Sequence, residues 1–345
     1  MTELQLALLV IGALVVAGVV VYNRLQERGA RRAAERAFRS SAGDALLDDP
    51  APRREPAMGP AAAIRPAPPP PAALPDARID YVVELSFATP PAVGVLLEQW
   101  KPYEHRYAKS ACLAYAGDGA RDWLPLAPGA GGQASVLQAG LQLVTREGAV
   151  GEAELIEFRA AVETLAAATG AKVSAPEMRQ AVERARELDR FCADADLQTV
   201  FHVMPQPGAR FAGLAVQRAA EAAGLTLGDD GRFVLHDDAG RPLFYLGPRD
   251  GAGFIAGAVD AAAPAGLSIT FDVPRAPGAQ RTFQAMTGFA RLLATELQGT
   301  LVDDNDRALD ERSLAAIDAQ LSAVDAAFAG RGIEPGGAAA LRLFS

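Results

Sequence analysis

The chain has 345 residues, half of them hydrophobic and 22% charged, with 33 Gly, 24 Pro and a net charge of −9. Two Cys exclude a disulfide scaffold, a zinc ribbon and an iron–sulfur cluster, and three scattered His leave little for a metal or proton-relay site. The acidic balance argues against nucleic acid, whose binders cluster Lys and Arg.

The first segment reads as a membrane anchor. From Leu4 to Tyr22 only Gln5 is polar, and Leu6, Val10, Ile11, Val16 and Val20 run through the stretch without a charge. At about 1.5 Å per residue it spans about 28 Å, close to the hydrocarbon thickness of a bilayer. A cleaved signal peptide would open on basic residues and have a shorter core; here Glu3 precedes the run. Arg24, Arg28, Arg31, Arg32, Arg36 and Arg39 follow it. The positive-inside rule then puts the amino terminus outside and the rest of the chain in the cytoplasm. A buried core helix is the alternative, but no amphipathic stripe supports it. Ala13 and Ala17 form a small-residue pair available for self-association.

Residues 24–78 read as a basic juxtamembrane segment followed by a disordered Pro/Ala tether. Prolines at 50, 52, 56, 60, 66, 68–71 and 75 remove amide donors and block helix formation. Such a chain is extended and spans about 3.1 Å per residue in its polyproline form. A spacer is its simplest role, ahead of an SH3-type ligand at Pro68–Pro71.

From Ile79 the chain becomes globular and its pattern is written twice. Asp80–Phe87 alternates, with Val83, Leu85 and Phe87 on one face and Val82, Glu84 and Ser86 on the other. A short helix carries Val93, Leu96, Leu97 and Trp100, and Gly140–Val144 reads as a strand. A helix with the stripe Leu155, Phe158, Val162, Leu165 stops at Gly170, and another begins at Pro176. In the second half Thr199–Met204, Leu243–Leu246 and Gly266–Val273 read as strands, and Leu214–Ala223 as a helix. The stripe Phe283, Met286, Ala290, Leu293 ends at Gly299, and a last helix carries Leu314 to Phe328. The two long stripes share one spacing, 128 residues apart. The expected fold class is α+β: a first domain at 79–195, a second at 196–330 and a tail at 331–345. Each domain is a split αβ unit whose antiparallel sheet is covered by helices on one face, leaving the other open to a peptide.

Little in the chain promises chemistry. Asp303, Asp304 and Asp306 cluster as hard-cation ligands do, but without EF-hand spacing they read as a polar hairpin turn. His202 lies on a strand face; Cys112 and Cys192 have no CxxC partner. Gly129–Gly132 lacks the Lys-Ser/Thr of a phosphate loop, and no hydrolase or kinase signature occurs. No catalytic residue, cofactor or metal is assigned.

An anchor, a Pro/Ala tether and a terminal αβ domain form the layout of the ZipA family of bacterial division proteins. Leu243–Leu246, Gly266–Pro274, Phe283–Leu297 and Gly299–Arg307 resemble the ZipA carboxy-terminal domain, the last stretch most specifically. The resemblance implies a non-catalytic adaptor at the bacterial inner membrane and division septum. It also implies capture of the FtsZ carboxy-terminal tail in a shallow apolar groove on the open sheet face. This sequence departs from that pattern: Ser268, Thr270 and Asp272 face outward on the strand from Leu267 to Val273, and Arg249 stands where the family has an apolar residue. The first domain offers Val82 and Val144, with Gln142 and Arg146, and Tyr107 and Tyr115 as neighbours. The reading leaves open which domain binds. Its alternative is a tethered peptide-binding module of the same fold with another partner, and an enzyme stands third.

Overall fold

Strand β1, Asp80–Ser86, buries Tyr81, Val83 and Leu85 and turns Val82, Glu84 and Ser86 to its other face, as alternating polarity requires. It belongs to a computed structural model that describes residues 73–117, 119 and 122–345. The apolar run at 4–22 and the tether as far as residue 72 lie outside these residues. Among the described residues no helix is long and apolar enough to cross a membrane.

The first sheet has the order β3-β2-β4-β1-β7, all neighbours antiparallel. Its other strands are β2 (Ala111–Ala116), β3 (Leu124–Pro125), β4 (Val136–Gln142) and β7 (Lys172–Ser174). Helices α1 (Val93–Trp100), α2 (Glu152–Thr169) and α3 (Met178–Ala195) accompany it. Helix α2 buries Leu155, Phe158, Val162 and Leu165 and ends where Gly170 takes a φ of +67°, a conformation that glycine adopts without penalty. A separate hairpin of β5 (Val144–Thr145) and β6 (Gly148–Ala149) precedes it.

The second sheet runs β13-β8-β12-β11-β10-β9, again antiparallel throughout. It consists of β8 (Gln198–Met204), β9 (Thr226–Leu227), β10 (Phe233–His236), β11 (Pro242–Pro248), β12 (Leu267–Asp272) and β13 (Thr300–Val302). The remaining helices are α4 (Gly213–Ala222), α5 (Ala279–Glu296), α6 (Glu311–Gly330) and α7 (Ala338–Leu343). Asp310 caps α6 by accepting the Ser313 amide at 2.8 Å.

Four strands of each sheet share one plan, β2-β4-β1-β7 and β11-β12-β8-β13. In it Glu84 pairs with Ser174, and His202 with Val302. The buried stripe of α2 recurs on α5 as Phe283, Met286, Ala290 and Leu293. The edges differ, with β3 on one sheet and the β9–β10 pair on the other. One hydrophobic cluster runs through both halves. Phe191 of α3 meets Phe328 of α6 edge-on at 4.9 Å, and Phe328 meets Phe344 at 5.9 Å. Each such ring, fully buried, stabilises the fold by about 1.5–3 kcal/mol.

Two boundaries differ from the sequence reading. Residues 75–78, read as tether, are packed: Pro75 rests over Gly140, where a Cβ would come within 3.0 Å of the proline ring. Residues 331–345, read as a tail, are packed as well: Ile333, Leu343 and Phe344 are buried and 338–343 is helical. Apolar residues separated by short Gly/Pro turns gave no periodicity there to read.

Candidate peptide-binding faces

The open face of the first sheet carries Asp80, Val82 and Glu84 from β1, Gln138, Gly140 and Gln142 from β4, and Cys112 and Ala114 from β2, opposite in parity to its core residues. The lead-in to β1 and the end of the chain fill one corner of it. The Arg342 guanidinium donates to both oxygens of Asp80, which is fully buried. The Gln142 amide donates to the Arg342 carbonyl at 2.8 Å, and the Asp76 amide donates to Asp80 Oδ2 at 2.7 Å. Burial pushes the Asp80 carboxyl above its ordinary value, and Arg342 pulls it part of the way back. Val82 and Glu84 remain outside the plug, partly exposed.

Several residues expected on or beside this face lie elsewhere. Tyr107 stacks with Trp100 at 6.4 Å and meets Phe158 of α2 at 5.5 Å, which puts it on the helix side. Tyr115 is buried on the core side of β2, its hydroxyl donating to the Gly131 carbonyl at 2.9 Å. Val144 is fully buried in the β5–β6 hairpin. β4 ends at Gln142, so the alternation that would have put Val144 on the open face stops before it. Arg146 spans the junction of the two halves, donating to Asp196 at 2.8 Å and Asp272 at 2.7 Å.

The open face of the second sheet presents Ser268, Thr270 and Asp272 from β12, all partly exposed, beside Gln198, Val200 and His202 from β8 and Tyr245 from β11. Leu267, Ile269 and Phe271 point to the core. A cavity of about 290 Å³ opens here, lined among others by Gln198, Arg232, Tyr245, Thr270, Asp272 and Leu341. The Arg232 guanidinium lies 4.3 Å over the Tyr245 ring, a cation–π contact. Asp272 Oδ2 accepts from Arg146, while its buried Oδ1 has no hydrogen-bond partner among the described residues. Leu243, Tyr245, Val200 and Leu341 supply apolar surface among these polar groups. Parity along β11 marks Tyr245 as outward, but nothing in the sequence brings Arg232 or Leu341 to this cavity.

Arg249 pairs with Asp306 at 2.6 Å at the rim. The Asp303 carboxylate accepts the Asn305 and Arg307 amides at 2.8 and 2.9 Å, closing the turn after β13, and these bonds hold it below the usual carboxylate range. Asp304 Oδ1 meets His202 Nε2 at 2.8 Å, while His202 Nδ1 meets Ser268 Oγ at 2.8 Å. The three aspartates are thus engaged in a turn and two side-chain pairs. Among the described residues no group of three or more His, Cys, Asp or Glu is arranged to hold a metal. Both Cys are free, and burial pushes each thiol up to about 12, which leaves them poor nucleophiles at neutral pH.

Residues 198–320 match the family model described as ZipA, C-terminal FtsZ-binding domain. The match begins at β8, takes in the whole second sheet and ends within α6, so the resemblance read from Leu243 to Arg307 is borne out over that stretch. No curated protein matches the chain.

Proposed function

We propose that this chain is a non-catalytic cell-division adaptor that receives the FtsZ carboxy-terminal tail on the open face of its second sheet. The observation that carries this reading is the uncovered cavity at Tyr245 and Thr270, inside the segment matched as an FtsZ-binding domain. The corresponding face of the first sheet is partly plugged by Arg342 and Pro75. Tyr245, Leu243 and Val200 would supply the apolar contact that dominates peptide affinity, with Ser268, Thr270 and Asp272 adding polar contacts and Arg249 at the rim.

The shared strand plan and the paired helix stripes support a duplicated ZipA-like unit, the first at 79–195 and the second at 196–330. The apolar run at 4–22 supports a single-pass anchor in the inner membrane, with the amino terminus periplasmic and the bulk of the chain cytoplasmic, at the septum. The anchor would contact membrane lipid directly. Ala13 and Ala17 would serve self-association. A second reading, the same tethered module with a different peptide partner, is favoured by the polarity of Thr270, Asp272 and Arg232.

The test is fluorescence anisotropy of a labelled FtsZ-tail peptide against the full-length chain in nanodiscs. Saturable binding is expected, at least tenfold weaker in Tyr245→Ala and unchanged in Val82→Glu. A folded chain with no affinity for the peptide would pass the case to the second reading. Loss of binding in Val82→Glu alone would move the site to the first sheet. Deleting residues 1–23 should release the chain from inner-membrane vesicles, and continued attachment would sink the anchor.

A further inference from the structure

Strand β8 is longer than the strand that borders its outer edge. On one side β12 pairs with it from Gln198 to Val203, whereas on the other β13 reaches only His202 to Met204. The Leu197 carbonyl accepts the Val273 amide at 2.9 Å. Backbone groups alternate along an antiparallel strand, so odd-numbered residues here aim theirs at β12 and even-numbered residues aim theirs outward. Gln198 and Val200 therefore direct two N–H and two C=O groups to a side where no strand stands among the described residues. A groove of about 260 Å³ follows that side, bordered by Leu309, Ile317 and Leu321 and by the turn at Asp303–Asn305.

We propose that this edge is a strand-addition site, taking an extended partner peptide in which apolar and basic residues alternate. The unpaired backbone groups call for an extended backbone, because only that conformation offers matching donors and acceptors at strand spacing. Alternation then divides the guest's side chains between the two faces of the sheet. The guest residue beside Thr199 falls on the helix side, against Ile317 and Leu321. Those beside Gln198 and Val200 fall on the open side, where Asp304 borders the groove and is 68% exposed. The edge captures main chain, whereas the neighbouring face captures side chains, so the two sites accept different parts of a partner. This inference stands apart from the FtsZ reading.

The probe is a fluorescein-labelled Lys-Val-Lys-Val-Lys-Val-Lys peptide, titrated into the full-length chain beside an analogue N-methylated at every Val. Saturable binding of the parent is expected, at least tenfold tighter than that of the analogue. Val200→Pro removes an outward N–H and leaves the β12 ladder intact; it should weaken the parent at least tenfold. Ile317→Lys, on a partly exposed helix position, should do the same and serves if the proline variant fails to fold. Tyr245→Ala should leave this peptide's affinity unchanged. No binding of the parent, equal affinity for both peptides, or a loss confined to Tyr245→Ala would each overturn the proposal.

Discussion

The Arg342 guanidinium closes on the Asp80 carboxylate at 2.7 and 3.0 Å, tying the last helix to the first strand. Asp80 is fully buried, and the Arg342 side chain is 17% exposed. The pair is a fastening between the two ends of the globular part. Its desolvation offsets much of its attraction, so its loss is costly mainly through the charge left behind.

Arg342→Ala leaves that carboxylate buried without a counter-charge, and the expected loss is about 3–5 kcal/mol. Urea unfolding of the variant should show the midpoint displaced accordingly. Asp80→Leu combined with Arg342→Met removes both charges and should recover most of the stability. A double variant as unstable as the single one would show that the geometry of the pair, and not the stranded charge, is what matters.

Phe158 and Met286 hold the same place in the two halves, each fully or almost fully buried under its sheet. Phe158→Ala should cost about 3–5 kcal/mol and Met286→Ala about 2–5 kcal/mol. The core is continuous through Phe191, Phe328 and Phe344, so each substitution should lower the melting of both halves together. Hydrogen exchange in α2 and α5 reads this directly. Protection lost in one helix alone would mean two independent folding units.

Acid should weaken the fold through carboxylates that accept backbone amides. Asp303 is held low by the Arg307 amide, Asp237 by that of Arg241 and Asp310 by that of Ser313. A carboxylate whose folded pKa is depressed stabilises above its unfolded value, about 4, and loses that contribution as pH falls through the lower folded value. Stability measured from pH 5 to pH 2.5 should therefore decline, and the decline should be shallower in Asp303→Asn with Asp310→Asn. An unchanged slope would place the acid-sensitive groups elsewhere.

Gly213 opens α4 against the Val259 carbonyl, and a Cβ there would lie 1.8 Å from that oxygen. Gly213→Ala should cost about 3 kcal/mol, the upper range for overpacking, measured as a fall in melting temperature. Gly288→Ala, whose Cβ meets nothing within 4 Å, should be neutral or stabilising because alanine favours the helix.

Periodicity made the long elements legible. The stripes on α2 and α5 and the alternation in β1 and β12 each face a single core, so hydrophobic spacing alone locates them. Strand β2 escaped because Ala-Cys-Leu-Ala-Tyr-Ala has small residues on its open face, which alternation cannot distinguish from a buried run. β7 is too short for any period to show. Tyr115 reads only as a neighbour of the open face because its strand shows no clear alternation, and Tyr107 because a loop residue carries no parity. Ser268, Thr270 and Asp272 followed directly from the pattern of β12. The plug over the first sheet stayed hidden for a different reason. A contact between Asp80 and Arg342, at opposite ends of the globular part, leaves no trace in local composition.

The corner at Gly140 also determines how the molecule bears load. Leu74 lends its carbonyl to Arg342, and the Arg184 guanidinium holds the carbonyls of Ala77 and Asp80. A pull applied at residue 73 would meet these bonds before it reached any strand. Such a pull would divide between the first strand and the terminal helix, whereas Tyr245 lies on a strand of the other sheet.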